Sequence, residues 1–393
     1  MNKSFFTATL LSSLLGFAQQ SQQTSDYNQI KHNTSHSLHA EDRLRLFRAV
    51  PGEFTGDLGF FGDTWSNTAD GAANDFMSLY FAPHYELELG GGFAFETGGI
   101  FTYDLKDNGG FDEIIADKSV LSELAISYSF SETTIKAGRQ SLEFIILEDY
   151  FDGITVYSDE FDGLSLRGAW VNKGATLDPD DLTKFEEEYF GLDSGNKDGV
   201  YAFEADYQLT EGLTLSGSVA YANNYFTQYG SRVVWETGMN ALTVELFNVE
   251  NYQEDVKDGY LFHVDDTLSF DHFTISAGYI QTSEDAGVGG LLNNFYDPFA
   301  EDTIEEFLNV QAWYLTSTIS LSDDTEFTVT YGDKYADIDD EGTIITDEKI
   351  REFDLILTHN FSDSFSSEFA FVNYDSDKDD SWSRFYANVV YSF

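Results

Sequence analysis

The sequence predicts an all-β chain, a transmembrane antiparallel β-barrel of about 18 strands. Three observations carry this. Apolar and polar residues alternate with a period of two, in segments of about 8 to 14 residues, from about residue 54 to the end. The connections between these segments form a short set and a long set that do not mix. The last segment, Phe385-Tyr-Ala-Asn-Val-Val-Tyr-Ser-Phe393, places Phe385, Ala387, Val389, Tyr391 and Phe393 at every second position and ends on an aromatic, as closing strands of bacterial membrane barrels do.

Met1-Asn-Lys3 gives a short basic start, Phe5 to Ala18 an apolar run, and Gly16-Phe17-Ala18 a small-residue site. Residues 1–18 therefore read as a signal peptide, and export is expected. No other segment approaches the roughly 20 apolar residues of a membrane helix. Residues 19–52 are polar and lack alternation, which suits a periplasmic extension with one or two helical turns around Glu41-Asp-Arg-Leu-Arg-Leu-Phe47. His32, His36 and His39 would share one face of such a helix at a spacing a metal could use. A flexible polar tail is the competing reading.

The chain has no cysteine, so disulfides, thiolate metal sites and cysteine nucleophiles are excluded. Its 70 acidic and 20 basic residues repel nucleic acid and favour cations. A soluble all-β protein with acidic loops could share that balance. The 36 Phe and 23 Tyr fit better the aromatic girdles of a barrel at its two membrane interfaces.

Residues 53–393 form the expected barrel, with strands at 54–65, 76–88, 91–104, 119–130, 133–143, 153–160, 163–172, 200–210, 213–226, 229–237, 240–250, 258–270, 272–284, 307–321, 325–336, 349–361, 364–375 and 381–393. Short connections at Leu89-Gly-Gly, Ser131-Glu132, Asp162, Glu211-Gly212, Gly238-Met239, Ser322-Asp-Asp324 and Ser362-Asp363 follow even-numbered strands. Long ones at 105–118, 144–152, 173–199, 285–306 and 337–348 follow odd-numbered strands. Bacterial barrels have short periplasmic turns and long extracellular loops, so both termini are expected in the periplasm. Faces agree along single strands: Phe273, Ile275, Ala277 and Tyr279 point one way, Thr274, Ser276 and Gly278 the other. Phe353, Leu355, Leu357 and Phe361 form a second outward set. The inward positions are polar and predict a water-filled lumen; a soluble barrel would reverse the pattern.

Alternation assigns Lys136, Arg167, Arg232 and Arg384 to the lumen, with Glu123, Glu204, Asp206, Glu245, Asp265, Glu326, Glu352, Asp354 and Glu368. Carboxylates outnumber bases about two to one, and acidic rings favour cations. Arg139 is ambiguous, because strict alternation from Ile135 and Ala137 aims it at lipid and a bulge near Gly138 would be needed to turn it inward.

Phe81-Ala-Pro-His-Tyr-Glu-Leu-Glu-Leu-Gly-Gly-Gly-Phe93 resembles the second hairpin of the OprD-like (Opr-family) outer-membrane porins of Gram-negative bacteria. Lys136-Ala-Gly-Arg-Gln-Ser-Leu142, an inserted loop and Phe161-Asp-Gly-Leu-Ser-Leu-Arg-Gly-Ala-Trp170 look like the part of that family that builds the constriction. The resemblance implies an outer-membrane location and an eyelet formed by an inserted loop near 144–160. It also implies passive entry of small hydrophilic solutes, in some members carboxylates drawn by a basic ladder. The acidic lumen departs from that ladder, and a cation-leaning porin is expected instead. Glu148, Asp149 and Asp152 would supply the acidic side of the eyelet, with Arg139 and Arg167 opposite if both turn inward.

No resident cofactor is expected, with calcium on the extracellular loops as the one exception. Asp337, Asp339, Glu341 and Glu348, with Gly342 at the turn, nearly fit a calcium loop, although Glu341 stands where Asp or Asn is usual and the flanks read as strands. A solvated acidic loop is the plainer account. Such loops would attract divalent cations that bridge to lipopolysaccharide. Lipid, lipopolysaccharide, small hydrophilic solutes and, through the Phe393 strand, the barrel-assembly machinery are the expected partners; a homotrimer is one admissible assembly. Enzyme activity is not expected. His84, His263, His272 and His359 are the histidines of the barrel region, and the His263–Asp265 spacing suits a satisfied polar lining. Two rival functions stay open: a plugged binding or adhesion barrel with calcium-dependent acidic loops, and a sheath around an electron-transfer partner.

Overall fold

In the computed structural model the described residues are 51–393 apart from 68–72, 108–118, 178–181, 184, 187–197, 254–255, 285–297, 301–307, 341–342 and 379–380. The expected signal peptide, the 19–52 extension apart from Pro51 and Gly52, and the three N-terminal histidines lie outside them. The strands are β1 (Glu53–Asn67), β2 (Ala73–Gly90), β3 (Phe93–Asp107), β4 (Ser119–Phe130), β5 (Thr133–Phe144), β6 (Leu147–Phe161), β7 (Leu164–Ala175), β8 (Val200–Thr210) and β9 (Leu213–Ala222). They continue with β10 (Phe226–Thr237), β11 (Asn240–Asn251), β12 (Gly259–Ser269), β13 (Phe273–Thr282), β14 (Leu308–Ser322), β15 (Thr325–Asp340), β16 (Thr343–Ser362), β17 (Phe365–Ser376) and β18 (Trp382–Ser392).

Each strand pairs antiparallel with its sequence neighbours, and β1 pairs with β18, so the 18-stranded sheet closes on itself. Closure leaves no unpaired sheet edge at the seam. There Gly56 and Phe393 exchange two backbone hydrogen bonds, of 3.2 and 3.0 Å, and the Phe393 ring lies 5.5 Å from Phe54 and 6.0 Å from Phe81.

The connections at one end are two-residue turns at 91–92, 131–132, 162–163, 211–212, 238–239, 323–324 and 363–364, with three residues at 270–272. This is the expected short set. The other end differs from expectation in two places. Residues 144–152 are not a long loop: β5 and β6 pair out to Phe144 and Leu147, leaving Ile145-Ile146 as the tip. Residues 337–340 and 343–348 are likewise strand, paired from Ala336–Glu348 to Asp340–Thr343. Backbone groups that can pair do so, and charge in the side chains does not prevent it. The described part of this segment is a paired hairpin and not a twelve-residue loop curled around calcium. Asp337 accepts from Asn309 at 3.3 Å and Glu348 is buried against the Ser376 hydroxyl. Glu341 and the Asp339 side chain lie outside the described residues.

The outward face is apolar as expected: Leu58, Leu124, Ile126, Phe203, Trp235, Trp313, Phe273 and Phe361 are among its exposed large side chains. The lumen corrects the sequence reading. Its long-loop half is lined by buried apolar groups, Val171, Val200, Ala202, Ala220, Val249, Leu261, Ile280, Val310 and Ile350 among them. The reason lies in what covers them.

Candidate functional site

Three segments enter the barrel from the long-loop end. The first is the β5–β6 hairpin. Phe144, Ile146 and Leu147 have no exposed surface, the Ile145 N–H donates to Glu204 on β8, and Ile146 crowds Gly230 on β10. A hairpin lying in the wall could not reach strands that far round the barrel, so it folds across the lumen. The second is the stretch after β7, where Leu177 and Leu182 are bridged and pack with Ile100 and Ala175. The third is 298–300, where Phe299 packs on the backbone of Gly332 and edge-on to Tyr314, and the Ala300 N–H reaches Asp354 at 3.3 Å.

Two glycines let the hairpin leave the wall. Gly138 has φ +127°, and a Cβ there would lie 2.2 Å from the Leu124 carbonyl oxygen; on its partner Gly153 a Cβ would lie 2.2 Å from the Trp170 carbonyl oxygen. Pairing of β4 with β5 ends at Leu124–Arg139, and the Arg139 guanidinium donates to the Leu121 carbonyl at 2.9 Å, satisfying a backbone acceptor on the edge that β5 abandons. This settles Arg139: it turns inside through the bend at Gly138. Gly138→Ala combines forbidden φ with a backbone clash, and should lower stability by about 1–3 kcal/mol in denaturant titrations of the detergent-folded barrel.

Cross-strand partners share a face. On the hairpin, Leu142, Phe144, Leu147 and Phe151 form one face, buried against the Val and Ala wall; that cover is why the wall there is apolar. Arg139–Asp152, Ser141–Tyr150 and Glu143–Glu148 form the other, with Glu143 exposed. Glu143 was not among the sequence candidates; the alternation of 139, 141 and 143 against buried 140, 142 and 144 is the signal that could have found it.

The expected facing of hairpin acids by arginines is not what forms. Arg139 lies on the hairpin itself, bidentate to Asp152 at 2.8 and 3.1 Å and 3.5 Å over the Phe185 ring. Arg167 binds Glu204 and, at 3.4 Å, Asp206 on the adjacent strand β8. Asp149 accepts from the Thr176 hydroxyl at 3.0 Å and so ties the hairpin to the second inserted segment. Of the expected eyelet acids, Asp152 is ion-paired on the hairpin itself, Asp149 is hydrogen-bonded to Thr176, and Glu148 has no ion pair among the described residues.

The remaining lumen candidates form a paired belt below the tip. Lys136 meets Glu96 at 2.5 Å, His84 meets Glu123 at 2.6 Å, and Arg232 meets Glu245 at 2.5 Å. Glu245 also takes His263 Nδ1 at 2.7 Å; His263 Nε2 lies 2.8 Å from the Tyr314 hydroxyl, which donates to Asp265 at 2.7 Å. Lys334, which the sequence reading missed, pairs with Glu352 at 3.2 Å and lies 4.0 Å over Phe299. Arg384 grips Asp63 at 2.8 Å. Glu326 is exposed at the short-turn end, and Glu368 lies mid-wall on β17, paired across to Asn388 on β18. The described residues hold no group of three His, Asp or Glu side chains placed to bind a metal.

The sequence matches no family model and no curated protein. Solved structures do match. Acinetobacter baumannii OccAB4 superposes with TM-score 0.71 at 15% identity, over 87% of this chain and 98% of that one. A BenF-like porin from Pseudomonas fluorescens Pf-5 gives 0.71 at 13% over 87% and 98%. The outer membrane protein OpdK of Pseudomonas aeruginosa gives 0.69 at 13% over 87% and 98%, and has also been crystallised with vanillate. At such identities the likeness is one of fold, and it spans nearly the whole of each matched chain.

Proposed function

We propose that this barrel, which shares its fold with outer-membrane porins, is itself an outer-membrane channel that passes small hydrophilic solutes passively and favours cations. The folded-in hairpin carries the reading. Its apolar face seals onto the wall while its polar face keeps a charged surface inside the barrel, the arrangement a constriction needs. Charge balance supports cation preference. Lys136, Arg139, Arg167, Arg232, Lys334 and Arg384 are each neutralised by a carboxylate. Glu143, Glu148 and Glu326 have no ion pair among the described residues, against Lys173 on the basic side. The combined variant Glu143→Gln, Glu148→Gln should lower the cation-to-anion permeability ratio several-fold, read as reversal potential across a KCl gradient in planar bilayers. An unchanged ratio would place the selectivity elsewhere, and anion preference in the intact protein would reject the cation reading.

A second reading has its own support. The hairpin tip, the Leu177–Leu182 bridge and Phe299 are buried in apolar clusters at the long-loop end, as a plugged binding barrel would require. A correctly folded barrel without conductance would select it.

A further inference from the structure

Where β17, β18 and β1 reach the long-loop end, their inward residues form an aromatic group. Trp382 and Tyr374 stack with centroids 4.9 Å apart and planes 5° from parallel, and Trp65 lies 4.6 Å from Trp382. Behind them Arg384 sits 4.8 Å over Trp65 and 5.1 Å over Tyr386. Three donors converge on one oxygen of Asp63: Trp65 Nε1 at 2.8 Å, Arg384 Nε at 2.9 Å and Arg384 Nη2 at 2.8 Å. The other oxygen, Oδ1, is buried with no hydrogen-bond partner. A buried carboxylate oxygen left without a donor is costly.

We propose that this corner is a mouth subsite for neutral, polyhydroxylated ring solutes, that is, carbohydrates. This rests on the channel reading and names one solute class for it. Trp65 and Trp382 are half-buried, and the indole surface left outside the Tyr374 and Arg384 contacts suits the C–H face of a sugar ring. The Asp63–Arg384 pair cancels its own charge, so the platform does not draw ions within an otherwise acidic lumen. The buried Asp63 oxygen beside the platform needs a donor, which a hydroxyl-bearing solute that displaces its cover supplies and an aromatic carboxylate does not.

The test uses the full chain refolded into planar bilayers, with maltotriose as probe and benzoate as comparison. Maltotriose added on the long-loop side should block the current saturably in the millimolar range. Trp382→Ala should weaken that block about tenfold, a loss of one stacking contact, and Trp382→Phe should retain most of it. Conductance that maltotriose leaves untouched, or that benzoate alone blocks, overturns the subsite while leaving the channel standing. If the barrel is folded but silent, the channel reading fails. Tryptophan fluorescence of the detergent-folded protein then decides the subsite: a saturable maltotriose response lost in Trp382→Ala upholds it, and none overturns it.

Discussion

Replacing residues 140–151 with an Asn-Gly turn should raise single-channel conductance several-fold. The replaced stretch is the part of the hairpin beyond Gly138 and Gly153 that crosses the lumen, and Asn-Gly suits the tight turn needed to rejoin Arg139 and Asp152. Phe144, Ile145, Ile146 and Leu147, at 0 to 5% exposure, hold it in place. At roughly 1.5–3 kcal/mol for each large side chain, the tip contributes about 6–12 kcal/mol toward the closed-in position. A smaller change reads the same force: Ile146→Asp puts an unpaired carboxylate into that contact and should give larger, noisier openings in bilayer recordings. Conductance that stays at the intact level in the shortened protein would show that the other inserted segments set the restriction.

Glu245→Ala is the point substitution expected to cost most in stability. Glu245 has no exposed surface and accepts from Arg232 at 2.5 Å and His263 at 2.7 Å. Without it Arg232 lies in the wall with its counter-charge gone, and His263 Nδ1 loses its partner. Removing one partner of a buried pair costs about 3–5 kcal/mol because of the charge it leaves behind. The check is the urea midpoint of the detergent-folded barrel, followed by tryptophan fluorescence. A midpoint within error of the intact protein would mean that water reaches Arg232 and screens it. Glu143→Ala serves as the contrast: its carboxylate is exposed and has no ion pair among the described residues, so its removal should hardly move the midpoint while still lowering cation preference.

Strand number, the order of short and long ends, and the outward face were legible because each rests on a local rule. A side chain's face follows from its position modulo two, and a two-residue turn is visible in the residues that make it. Phe273, Leu124 and Trp313 are outside, and Glu204, Arg232, Glu245, Asp265, Glu352 and Arg384 are inside, wherever the strands happen to run in space. The acidic candidates of the lumen were found the same way.

Partnership was not legible, because it depends on which residues lie opposite in register and on how far a segment bends. Arg232–Glu245 and Asp63–Arg384 are cross-strand and diagonal neighbours that only the pairing of β10 with β11 and β1 with β18 brings together. The sequence by itself determined an 18-stranded barrel and its lumen-facing charged positions, and left open whether a bulge near Gly138 turns Arg139 inward. Tertiary structure alone decided that the next residues stay paired as a hairpin and fold inward. Their alternating apolar face, which reads as lipid-facing or lumen-facing strand with equal ease, finds a third surface to bury itself against: the inner wall.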